Sequence, residues 1–258
     1  MFGRSILSFG ALLAAVVAQT APGFPIKASE ELSVNYGTNT ISPPGERVPR
    51  NDTALPPSNI TIPTWPTRAN RTQLAVLLLV DLDVPRNNTR VQLLHWLATN
   101  ISIPAALAPP GRQLQLSLAS NDTNPDAVPY LQPSPPPGDV PHSYTFVLFA
   151  QPADFALPVQ YANLTGNRVG FNTSQFVTDT RLGSAVAANW FTVQNLTGTP
   201  TMTFPPARAT ETKVGPGNEE PSGVPSPGAG VALRGGGTAA VWAGVVTALF
   251  AGVAAFGL

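Results

Sequence analysis

Apolar residues recur along this chain either in unbroken runs or in strict alternation, and both patterns belong to strands. Leu74 to Val80 is a solid apolar run, as expected of a central strand buried on both faces. Leu32, Val34 and Tyr36 alternate with polar neighbours, and Leu114, Leu116 and Leu118 alternate with Gln113, Gln115 and Ser117. A period of two predicts strands with one buried face. Val91 to Ala98, Thr145 to Phe149 and Val186 to Val193 supply three further strands. Pro43-Pro44-Gly45 turns the chain after the first strand, and Asn51 to Pro66, rich in Pro, reads as loop or edge. Asn121 to Gly138 holds too much Pro and Asn for long regular structure. A short helix is expected over Thr173 to Thr180, with Thr173 or Ser174 as N-cap. No internal repeat is visible. The pattern predicts an all-β body with one or two short helices.

The two ends follow other rules. Arg4, the apolar stretch Ile6 to Val17 and the small residues before Gln19 read as a secretory signal over residues 1–18. As a membrane anchor that stretch falls short of the ~20 apolar residues a span needs. Residues 25–210 form the folded domain, and 211–237, rich in Pro, Gly and Ser, read as a disordered stalk. Residues 238–258 are uncharged and apolar. Small residues, a spacer containing Arg234 and that tail describe a glycosylphosphatidylinositol attachment signal. Gly228 is the leading attachment residue, ahead of Ser222 and Asn218; a tail-anchored or spanning helix is the alternative.

Composition fits the same address. Asn51, Asn59, Asn70, Asn87, Asn100, Asn121, Asn163, Asn172 and Asn195 each open an N-x-S/T triplet, the glycosylation acceptor of secreted proteins. Cysteine is absent, so no disulfide staples the domain and a sizeable core must hold it. The formal net charge is zero and 11% of residues are charged, which leaves no electrostatic footprint for nucleic acid.

Candidate chemistry gathers where the apolar strands end. Val80-Asp81-Leu82-Asp83-Val84-Pro85 closes the apolar run with two carboxylates, His95 lies in Leu94-His95-Trp96-Leu97, and His142 opens the segment leading to Phe149. Residues two apart share a face, which pairs Asp81 with Asp83 and His142 with Tyr144. Two acids, two imidazoles and a phenol on neighbouring strands make a polar pocket. His142, after a Pro-rich loop ending at Gly138, is placed at the mouth, where its imidazole and the Tyr144 hydroxyl donate to an anion. Duller readings stand beside this: Asp81 and Asp83 as turn caps before Pro85, and His95 as a core histidine with satisfied bonds. Close metal-ligand spacing and G-x-S-x-G are both missing, so neither a metal centre, a cofactor nor a hydrolase is expected.

The ordered set D-x-D-x-P, L-H-W-L and P-P-P-G-x-x-P-H-x-Y, followed by Phe171-Asn172-Thr173-Ser174-Gln175-Phe176 and Ala187-Ala188-Asn189-Trp190-Phe191, resembles the phosphatidylethanolamine-binding protein family over roughly Leu32 to Gln194. The resemblance implies a large antiparallel sheet backed by a smaller second sheet. It also implies a site for a small anion or phospholipid headgroup built from Asp81, Asp83, Pro85, His95, Gly138, His142 and Tyr144, with the aspartates orienting donors. A serine carboxypeptidase or a signalling protein is the implied protein partner. Two positions depart from the family: Leu82 replaces a Pro between the aspartates, and Ser143 replaces an Arg after the second histidine. Losing that Arg removes a bidentate anion donor. The competing reading is a glycosylated wall or adhesion protein with a vestigial pocket.

Overall fold

The computed structural model describes residues 19–65, 73–103, 114–116, 126–200 and 202–208. The signal segment, the stalk, the terminal tail, Gly228 and the sequons at Asn70 and Asn121 lie outside the described residues. Among the described residues no helix is long and apolar enough to cross a membrane.

In chain order the elements are β1 (Glu30–Glu31), β2 (Ser33–Tyr36), β3 (Asn39–Thr40), a 3-10 turn at Arg50–Thr53, β4 (Asn59–Ile62), β5 (Leu74–Arg86) and β6 (Thr89–Ser102). There follow β7 (Leu114–Gln115), β8 (Asp126–Val128), β9 (His142–Ala150), a 3-10 turn at Val159–Tyr161, α1 (Thr173–Asp179) and β10 (Ala185–Val193). Six strands form one sheet in the order β1-β10-β9-β5-β6-β8, and β3-β2-β4-β7 form a second.

The apolar run is continuous because both faces of β5 are covered. Leu77 and Leu79 face a core shared with Val34, Tyr36, Ile60 and Ile62 of the small sheet and with Phe146 and Leu148 of β9. Val76, Leu78 and Val80 point the other way, into a second core with Val147, Phe149, Phe171, Phe176 and Leu182. Period-two alternation thus delivers one strand to two hydrophobic layers, and each buried Leu or Val contributes roughly 1.5–3 kcal/mol.

Three expectations need correction. The large sheet is mixed, because β1 runs parallel to β10 with Glu30 opposite Ala187. One residue separates β1 from β2, so β1 takes its direction from the small sheet it leads into. Asn59–Ile62 is an interior strand of that sheet, between β2 and β7, not loop or edge. Burial of Ile60 and Ile62 outweighs the local Pro content. Of the alternating leucines, Leu114 lies in β7 and Leu116 is buried, while Leu118 lies outside the described residues. Helix α1 is capped one residue earlier than expected, by Asn172, whose Oδ1 accepts from the Gln175 amide at 3.0 Å. That bond satisfies a donor which no earlier turn can reach.

Candidate functional site

Strands β5, β6 and β9 bring the predicted residues to one end of the large sheet. β9 lies against β5 with Asp81 opposite Tyr144, and β6 lies on the other side of β5. Asp81, Asp83, His95, His142 and Tyr144 are all buried. The Tyr144 ring stays in the apolar core, stacked on Phe191 at 5.3 Å, while His95 meets it edge-on at 5.1 Å and His142 stacks at 6.4 Å.

The two aspartates part company. The β5–β6 register slips between Asp81 and Val84, breaking the alternation that would have kept both carboxylates on one task. Asp81 serves His142, with Oδ2 2.8 Å from Nδ1, while its Oδ1 accepts the Asp83 amide at 2.7 Å. Asp83 instead accepts the Ser143 amide at 2.7 Å and pairs with the Arg208 guanidinium, Nε to Oδ1 at 2.5 Å.

His142 is not a free donor at a mouth. Its Nε2 lies 3.0 Å from Asp139 Oδ2, so both ring nitrogens face carboxylates. Both must carry protons to satisfy them, which makes the ring an imidazolium. Burial alone would lower its pKa, but the charges and bonds of Asp81 and Asp139 outweigh burial and raise it. Asp81 sits well below the usual carboxylate range: burial works upward, and His142, then His95, pull harder downward. Asp139 is lowered too, with burial opposed by bonds from Arg90, His142 and the Val140 amide.

Three members of this network escaped the sequence reading. Asp139 follows Gly138, whose φ of +81° makes the turn and whose Cα faces Pro200 too closely for any side chain. Arg90 grips Asp139 with Nη2 at 2.7 Å and Nη1 at 3.2 Å, and donates from Nη1 to the Asp83 carbonyl at 2.6 Å. Arg208 arrives from the far end of the domain. No periodicity marks these residues; the Gly-Asp step beside the Pro-rich loop was the one available signal. Pro85 sits opposite Arg90 in the hairpin and shapes the strand end rather than the polar centre.

Two groups keep hydrogen-bonding capacity. The Tyr144 hydroxyl is buried and makes no hydrogen bond of good geometry; burial, reinforced by the charge and proximity of the Asp81 carboxylate, pushes the phenol well above its ordinary pKa, so it holds its proton. His95 Nδ1 lies 2.8 Å from the Leu131 carbonyl and must carry a proton there. Its Nε2 stands 3.8 Å from Asp81 Oδ2, beyond hydrogen-bond length. Among the described residues no cluster of His, Cys, Asp or Glu could hold a metal ion. An open depression lined by Asp154, Pro158, Asp179 and Arg181 shares no residue with this network.

The sequons scatter over the surface. Asn51, Asn87, Asn100, Asn163 and Asn172 are exposed, whereas Asn59 and Asn195 are half-buried. Asn87 and Asn88 form the tip of the β5–β6 hairpin with φ of +49° and +60°, as a two-residue primed turn requires.

These strands and this cluster place the chain in a class of two-sheet β proteins with a buried polar cluster at a strand end. The family model described as phosphatidylethanolamine-binding protein matches residues 31–201, and the chain belongs to that family. It is 33% identical over 195 residues to phomoidride biosynthesis cluster protein N of Talaromyces stipitatus, a match spanning 71% of this chain and 94% of that protein. It is 30% identical to a 26 kDa secreted antigen of Toxocara canis, over 64% of this chain and 57% of the antigen. Among solved structures, a carboxypeptidase Y inhibitor complexed with its cognate proteinase aligns at TM-score 0.49 and 17% identity, covering 66% of this chain and 85% of the other. A phosphatidylethanolamine-binding protein of Plasmodium falciparum aligns at 0.48 and 18%, covering 69% and 92%.

Proposed function

We propose that this chain is an extracellular, lipid-anchored binding protein that takes a small anion or phospholipid headgroup at the β5–β9 strand end. One observation carries the reading: the buried Tyr144 hydroxyl makes no hydrogen bond of good geometry, in a cluster where Asp81, Asp83, Asp139, Arg90 and His142 are all mutually paired. An unpartnered buried hydroxyl costs about 1–3 kcal/mol, which a ligand oxygen would recover. His95, whose Nε2 stands 3.8 Å from Asp81 Oδ2, is the second polar group offered to the ligand. His142 and the aspartates orient these groups and do not touch the anion. The chemistry asked of the site is capture, not turnover. Secretion, glycosylation and anchoring rest on the sequence signals at the two ends and on exposed sequons such as Asn87. A branched sugar there, beyond Pro85, obstructs a broad partner more than a small anion. The name of the Talaromyces relative extends the candidate ligands to small molecules of a biosynthetic route.

Calorimetric titration of phosphoethanolamine and of inorganic phosphate into wild type and Tyr144→Phe tests this. Binding to wild type that weakens about tenfold in the variant supports it. No binding to wild type favours the second reading, a glycosylated surface protein with a vestigial pocket. The complete pairing of His142 speaks for that reading. Adding a serine carboxypeptidase or a signalling kinase to wild type and Asn87→Gln separates a protein partner from a small one. Release of the protein from intact cells by a phosphatidylinositol-specific phospholipase tests the anchor.

A further inference from the structure

Position 143, whose amide bonds Asp83, carries an uncharged Ser, yet the carboxylate is fully buried. A buried unpaired charge costs several kcal/mol, so a partner has to come from elsewhere. It comes from residues 202–208, an arm that crosses the site. Arg90 anchors this arm by donating from Nε to the Pro206 carbonyl at 3.0 Å and from Nη2 to the Pro205 carbonyl at 2.7 Å. Two residues on, the Arg208 guanidinium takes Asp83 with both Nε and Nη2 and reaches Ser143 Oγ at 3.4 Å. Its Nη1 donates to the Pro22 carbonyl at 2.7 Å. The arm and Pro22 both lie outside residues 31–201, the stretch matched by the family model.

We propose that Arg208 is a positioning residue for the site, supplying from the C-terminal arm the guanidinium that position 143 lacks. The geometry makes the two positions interchangeable. The Ser143 amide already bonds Asp83 Oδ2, and its hydroxyl already touches the guanidinium. A longer cationic side chain at 143 would enter the space Arg208 fills. The bidentate fork matters as well as the charge, because Arg208 closes three segments of chain around one carboxylate. By fixing Asp83 it fixes the first residues of β9, and so the ring of His142.

Second-site rescue is the test, in the full-length chain and without any ligand, so its outcome is independent of whether an anion binds. Arg208→Ala should lower Tm by roughly 10 °C and move the NMR resonances of the His142 ring. Adding Ser143→Arg to Arg208→Ala should restore most of both. In the otherwise wild-type chain, Ser143→Arg should displace Arg208 from Asp83, and trypsin should then cut after Arg208 at least about tenfold faster, because cleavage needs that same guanidinium released. This last arm stays informative where Arg208→Ala fails to fold. A double variant no better than Arg208→Ala, or Ser143→Arg chains in which Arg208 stays as protected as in wild type, would overturn the proposal.

Discussion

Strand β5 is two materials in one strand. From Leu74 to Val80 it is held by many interchangeable apolar contacts on both faces. From Asp81 to Arg86 its side chains are held by charge pairs with named partners, Asp81 with His142 and Asp83 with Arg208, and the pair of Asp139 with Arg90 of β6 backs them. The apolar half degrades gradually, since a lost methylene group leaves a void that its neighbours partly fill. The charged half fails by stoichiometry, since removing one member strands another charge out of water. The first half gives stability that ignores pH; the second makes it depend on the protonation of particular groups.

The largest expected effect falls on the charged half. Asp139→Ala removes the one carboxylate paired with Arg90 and one of the two that hold His142, and should cost about 3–5 kcal/mol, read from denaturant unfolding at mildly acidic pH. A cost near that of an ordinary surface substitution would show that solvent already reaches these groups. Leu77→Ala, in the apolar half, should cost about 3 kcal/mol with little change across pH.

The pH profile sharpens the contrast. Asp81 and Asp139 are depressed in the folded state, so their stabilisation is present above the ordinary carboxylate range, near ~4, and fades as pH falls through the folded values. His142 is raised, so its contribution is complete below ~6.5 and is lost as pH climbs through its folded value. Stability should therefore peak between these limits and decline on either side. Leu77→Ala should lower the whole curve without bending it, whereas His142→Gln should remove the alkaline decline. An unchanged alkaline limb in His142→Gln would assign that limb to another group.

Smaller effects test the periphery. Asn172→Ala should cost about 1 kcal/mol through loss of the cap on α1. Asp154→Ala, breaking an ion pair with Arg181 whose two side chains are both largely exposed, should leave the unfolding midpoint where it was.

What could be read in advance divides along the same line. Leu74 to Val80, Thr145 to Phe149 and Val186 to Val193 announced their strands because burial repeats with the period of the backbone. The small sheet escaped in part because strands of two to four residues are too short to show a period. Asp81, Asp83, His95, His142 and Tyr144 were legible as residue types gathered at strand ends, and the structure brings them together. Their pairing was not legible. Arg90, Asp139 and Arg208 join the cluster through a hairpin, a glycine turn and a returning arm, and none of these leaves a local spacing to read. The division of labour between Asp81 and Asp83 hangs on a register slip, which the alternation rule cannot foresee.

The bond from Arg208 to the Pro22 carbonyl joins residues 186 positions apart. So long a loop closes late, after the β5–β6 hairpin, whose two strands are neighbours in sequence, has formed. Contacts made late are absent from the transition state, so they slow unfolding without speeding folding. The clasp therefore acts as a brake on opening: how long a molecule stays folded depends more on this one guanidinium than its share of the equilibrium stability suggests.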